Sequence, residues 1–175
     1  MSCTAFDGPL QIAAGSLAEV ALAVKAAIDG GAAGPVLTFD DATGNVVDFD
    51  LRGSAAEITA RLEAPRGRGR PKLGVTAREV TLLPRHWEWL AGQPGGASVT
   101  LRRLIDEARR ADGGQTQIRA ARDAAYRFMS AMAGDLPGFE EAARALFAGD
   151  QDRLEQQTET WPADLRSHVL RLASA

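Results

Sequence analysis

The chain has 175 residues, enough for one compact domain with a real core or for two very small ones, and its 45% apolar and 25% charged residues are ordinary globular values. Cys3 is the only cysteine, which excludes an intrachain disulfide and a cysteine-cluster metal site, and no apolar run nears the ~20 residues needed to cross a bilayer. The formal net charge of -3 conceals a division along the chain, since residues 1–63 carry -6, residues 64–110 carry +6 and residues 111–175 carry -3.

In chain order, residues 1–63 form an acidic α/β unit. Thr4–Ile12 is predicted as a short strand. Ser16 and Glu19 have the spacing of a capping box, and Leu17, Val20, Val24 and Ile28 follow at helical intervals until Gly30-Gly31. Val36–Phe39 and Val46–Leu51 are predicted strands of a hairpin around Asp-Asp-Ala-Thr-Gly-Asn. In the second of these, Val47, Phe49 and Leu51 alternate with Asp48 and Asp50, so one face is buried and the other wet. Ser54 and Glu57 cap another helix that runs to about Glu63.

Residues 64–74, Ala-Pro-Arg-Gly-Arg-Gly-Arg-Pro-Lys-Leu-Gly, form a linker whose glycines and prolines prevent a helix. Residues 75–112 are predicted as strand, helix, helix. Val75–Leu83 is the strand, Pro84 begins a short helix to Gly92, and Ser98 caps a second helix with Leu101, Leu104, Ile105 and Ala108 on one face. Gly113-Gly114 ends it. Residues 115–175 are helical. Ile118, Ala121, Ala125, Phe128 and Met132 form one apolar seam, Phe139 to Phe147 a second amphipathic stretch, and Leu165, Val169 and Leu172 a last helix after Trp161-Pro162. The fold class is therefore α+β.

The most specific functional signal is Arg66-Gly-Arg68-Gly-Arg70-Pro71-Lys72. Its core Arg-Gly-Arg-Pro resembles the AT-hook, an arm that lies in the A·T minor groove. That groove is narrow and strongly negative, so arginines insert into it, while glycine permits close backbone approach. The plain alternative is a soluble basic linker. The order strand–helix–helix, with Leu83-Pro84, Trp87 one turn on and Gly96-Ala97-Ser98 opening the second helix, resembles the ribbon-helix-helix repressors of the Arc type. That resemblance implies a homodimer whose β-ribbon enters the major groove of double-stranded DNA and a phosphate held at Ser98 and its neighbouring backbone amides, with Thr100 a further DNA-binding candidate; Arg78, Val80 and Leu82 face the groove if Leu83 points inward, Glu79 and Thr81 if Val80 and Leu82 do. A helix-turn-helix or a structural αα-hairpin stays open. Arg102, Arg103, Arg109 and Arg110 line the outer face of the second helix. Asp106 and Glu107 stand four residues away from several of them, so pairing within the helix competes with phosphate binding.

Asp40, Asp41, Asp48 and Asp50 are the carboxylates that could hold Mg²⁺ or do acid–base work, but turn positions and an outward strand face account for all four. No Ser/His/Asp arrangement, phosphate loop or nucleotide fingerprint is present, so no enzymatic activity, metal or cofactor is expected. As a whole the chain resembles a bacterial family of unassigned function, through Gly-Arg-Pro-Lys-Leu-Gly-Val, Arg-Glu-Val-Thr-Leu-Leu-Pro-Arg-His-Trp and Gln-Pro-Gly-Gly-Ala-Ser. The expected function is DNA binding by a dimeric transcriptional regulator or nucleoid-associated protein in the cytoplasm, with no membrane contact. The alternative is a protein-interaction module, an antitoxin or adaptor, whose basic segment meets an acidic partner.

Overall fold

A sheet with apolar residues on both faces needs a layer on each side, and β1 (Ser2–Asp7) has that pattern. Cys3 and Ala5 are buried on one face, Thr4 and Phe6 on the other. The computed structural model describes residues 1–63 and 78–174. They fall into two units, residues 1–64 with 117–175, and residues 65–116.

In the first unit β1 is central. It pairs antiparallel with β2 (Leu10–Ser16) and with β3 (Val36–Asp40), giving the order β2-β1-β3. The expected single strand Thr4–Ile12 is thus two strands joined at Gly8, whose φ of 54° makes the reversal possible. The expected strand Val46–Leu51 does not form. Only a Phe39–Val46 bridge and the bond from Val47 N–H to the Thr38 carbonyl continue the sheet. Its alternation is nonetheless real, because Val47, Phe49 and Leu51 pack inward.

α1 (Leu17–Asp29) has the full capping box, Ser16 accepting from the Glu19 N–H and Glu19 from the Ser16 N–H. It lays Val20 and Val24 against Cys3 and Ala5, while Ile28 stays exposed. α2 (Ala55–Glu63) repeats the device through Ser54 and Glu57.

The opposite face of the sheet is covered by the C-terminal helices. α5 (Gln115–Met132), α6 (Phe139–Ala148), α7 (Gln151–Gln157) and α8 (Ala163–Ala173) put Phe128, Met129, Leu146, Leu154, Leu165 and Val169 into one cluster with Phe6 and Phe39. The two acidic ends of the sequence therefore build one core between them. The predicted α5 seam holds at Ala125 and Phe128, with Met129 rather than Met132 fully buried. The turn after β3 runs so close to α5 that a Cβ on Gly44 would stand 2.1 Å from the Ala124 carbonyl oxygen. Only glycine fits there, at φ 67°.

The second unit contains α3 (Pro84–Ala91) and α4 (Gly96–Asp112), packed on each other. Pro84 occupies the first helical position as the sequence predicts. Residues 78–83, the described part of the expected strand, are irregular. A lone strand leaves its N–H and C=O groups unpaired, and among the described residues no strand pairs with this segment.

Candidate nucleic-acid interface

Residues 65–116 carry ten basic and five acidic side chains, against ten and eighteen in the rest of the chain. The basic unit is therefore the part with an electrostatic claim on phosphate. Arg66, Arg68, Arg70, Pro71 and Lys72 lie outside the described residues. Arg78 is exposed, and with Arg85 and Arg109 it makes no ion pair among the described residues.

α4 sets out the remaining candidates. Gly95, at φ 82°, precedes its first turn, so the helix begins at Gly96 and Ser98 is inside it. This corrects the expected cap at Ser98, because two glycines with positive φ turn the chain two residues earlier. The Ser98 hydroxyl is taken up by Arg102, whose Nη2 donates to it at 3.0 Å while Nε donates to the Ser98 carbonyl at 3.2 Å. Thr100 lies one turn into the same helix. Its side chain is buried.

Arg103 pairs with Glu107 at 2.8 Å, four residues on, as the sequence predicts. Arg110 donates instead to the Asp106 backbone carbonyl. Both arginines are exposed, and contacts of this kind are worth only about 0.3–0.5 kcal/mol, so an arriving phosphate displaces them cheaply. By helical position, Arg102, Arg103, Arg109 and Arg110 share the half of α4 opposite Leu101, Leu104 and Ala108.

In the first unit the four aspartates do not form a shared site. Asp40 accepts from the Ala42 and Thr43 N–H groups in its own turn. Asp50 is held by Arg52 and Arg61, well below the usual carboxylate range, with the Arg52 hydrogen bonds as the main cause. Asp41 turns inward. It accepts from Ser2 and Thr4, both at 2.7 Å, and Arg171 of α8 stands 3.4 Å away. Burial raises its pKa, but the Thr4 and Ser2 hydrogen bonds, with Arg171, bring it below the ordinary value. No group of three or more possible metal ligands occurs among the described residues.

Arg171 also donates to Nδ1 of His168 at 2.7 Å, so the imidazole carries its proton on Nε2. That nitrogen is buried, has no hydrogen-bond partner among the described residues and lies 4.0 Å from Asp41. Sequence reasoning missed this node. The histidine is 127 positions from Asp41, and only the docking of α8 on the sheet joins them. The weak signal was Ser2 and Thr4 on one face of a strand, with His168 and Arg171 one helical turn apart.

Burial pushes the His168 pKa down to about 4, with the Arg171 charge adding to the shift and Asp41 opposing it. A histidine buried neutral contributes stability above its unfolded pKa of about 6.5, and loses it as pH falls toward the folded value. The first unit is expected to lose about 3 kcal/mol between pH 6.5 and 4, seen as a falling denaturation midpoint. His168→Gln should flatten that slope. An unchanged slope in a folded variant would assign the acid sensitivity to other groups.

A family model described as an uncharacterized protein conserved in bacteria (DUF2239) matches residues 2–173, which takes in the basic segment as well as both units. No curated protein and no solved structure matches the chain. No described helix is long and apolar enough to cross a membrane.

Proposed function

We propose that this chain, which belongs to the bacterial DUF2239 family, is a DNA-binding protein that acts as a symmetric pair of chains. The observation that carries the reading is the charge partition, ten basic against five acidic side chains in residues 65–116 of an otherwise acidic protein. The arm Arg66–Lys72 supplies minor-groove contacts at A·T-rich DNA through Arg66, Arg68 and Arg70. Arg78, Arg102, Arg103, Arg109 and Arg110 meet phosphates and place the protein without reading sequence. The role is that of a transcriptional regulator or nucleoid-associated protein. A ribbon in the Arc manner would form only when residues 78–83 meet their counterpart in a second chain, so their irregular course here leaves that resemblance open.

A mobility-shift titration of the full chain on A·T-rich and G·C-rich duplexes of equal length tests the reading. Retardation of both is expected, tighter on A·T, and weakening steeply as salt rises. Failure to retard either duplex at low salt would remove DNA as the partner and favour an acidic protein.

A further inference from the structure

The two ring nitrogens of the buried His168 face groups of different kinds. Nδ1 accepts from Arg171 Nη2 at 2.7 Å, while the protonated Nε2 has no hydrogen-bond partner among the described residues and lies 4.0 Å from Asp41 Oδ1. The same Nη2 stands 3.2 Å from Thr4 Oγ1 and 3.4 Å from Asp41 Oδ1, so three acceptors compete for its two hydrogens. Phe6 from β1 and Phe128 from α5 hold the ring, with centroids 5.3 Å and 4.3 Å away. Arg127 of α5 and Asp164 of α8 are committed elsewhere, to the Thr43 carbonyl and the Gln11 N–H. The charges that act on the ring are therefore Arg171, on its own helix, and Asp41, in the turn after β3.

We propose that His168 is a proton-driven switch inside the folded first unit: when the ring takes a second proton, Asp41 exchanges Arg171 for His168, and the Arg171 side chain turns out into solvent. The proton comes from solvent and adds to the Nδ1 lone pair. An imidazolium carries N–H on both nitrogens, so donor then faces donor across the 2.7 Å contact, and two positive charges oppose each other. Arg171 is the partner free to leave, because its side chain is 51% exposed, whereas Phe6 and Phe128 keep the imidazole in place. Asp41 is the partner ready to receive. Ser2 and Thr4 already anchor its carboxylate, and a closure of about 1 Å would bring Nε2–H into a charge-assisted hydrogen bond. Burial and the Arg171 charge set the transition well into acid, at about 4, with Asp41 opposing the shift. The exchange lies wholly within the first unit and does not depend on the DNA-binding reading.

Nitrogen-15 magnetic resonance of the imidazole nitrogens in the full chain, followed from neutral pH into acid, tests the switch. His86→Gln identifies the His168 signals, since the chain has two histidines. At neutral pH the ring is expected as the Nε2–H tautomer. On acidification it is expected to gain its second proton while far-ultraviolet circular dichroism still reports the folded chain. Arg171→Met removes the charge that opposes the second proton and should raise the midpoint by about one pH unit. Asp41→Asn removes the charge that favours it and should lower the midpoint. Arg171→Lys, which keeps the charge and a donor, should stay near the wild type, a pattern that a merely structural arginine would not give. An Nδ1–H tautomer at neutral pH, a second proton gained only as the dichroism collapses, or a midpoint unmoved by Arg171→Met would overturn the proposal. If Asp41→Asn loses its fold, Arg171→Met, at a half-exposed position, decides.

Discussion

Replacing Phe128 with alanine is expected to cost the first unit about 3–5 kcal/mol, a large share of the total stability of a domain of this kind. The phenyl ring is fully buried where three elements meet. Its centroid is 5.2 Å from that of Phe6 on β1, 4.9 Å from Phe39 on β3 and 4.3 Å from the His168 ring on α8. All three contacts are edge-on or tilted arrangements of aromatic rings, which add to plain area burial. Removing the ring leaves a cavity that a strand pair fixed by hydrogen bonds cannot close. It also loosens the packing that keeps His168 neutral. Urea denaturation followed by far-ultraviolet circular dichroism measures the loss. Phe147→Ala, at a half-exposed position of α6, serves as the control and should cost under about 1 kcal/mol. A Phe128→Ala variant as stable as that control would contradict the arrangement of the core.

The helices of the first unit were legible in the sequence because their signals are local. Ser16 with Glu19 and Ser54 with Glu57 mark where α1 and α2 begin, and each pair bonds as its spacing implies. The strands were less legible. Asp7-Gly8 sits inside an apolar run, so its turn chemistry was overlooked, and one predicted strand is a hairpin. In residues 46–51 the alternation reported correctly which side chains go inward. It could not report that β3 ends at Asp40 and leaves them almost nothing to pair with. Burial has a sequence signature, whereas ladder pairing depends on a partner elsewhere.

The candidate interface divides the same way. The basic charge of residues 64–110 and the Arg103–Glu107 pair are direct consequences of spacing. Ser98 does not cap α4, because positive-φ glycines, not the serine, set the start of the helix. The Asp41–His168–Arg171 node had no local trace, since it exists only where the two ends of the chain pack together.

Arg68→Ala with Arg70→Ala is expected to leave thermal stability nearly unchanged and to weaken DNA binding strongly. Between Arg66 and Lys72 the sequence has no large apolar side chain that a core could claim, so the folded units should not register the loss. Each arginine that meets a phosphate or the groove floor displaces a condensed counterion. Losing two should lower the slope of log K against log salt by about 2. If the two arginines occupy an A·T minor groove, the variant also loses its preference for A·T-rich over G·C-rich duplex. A purely electrostatic linker would weaken both duplexes equally and keep whatever preference the wild type has.

The measurement that bears most directly on the DNA-binding account is therefore the salt dependence of affinity for A·T-rich duplex, taken on the wild type and on this double variant at matched temperature and pH. The account predicts a steep wild-type slope, a variant slope shallower by about 2 and a collapsed A·T preference. Equal affinity and equal slope for the two proteins would contradict it.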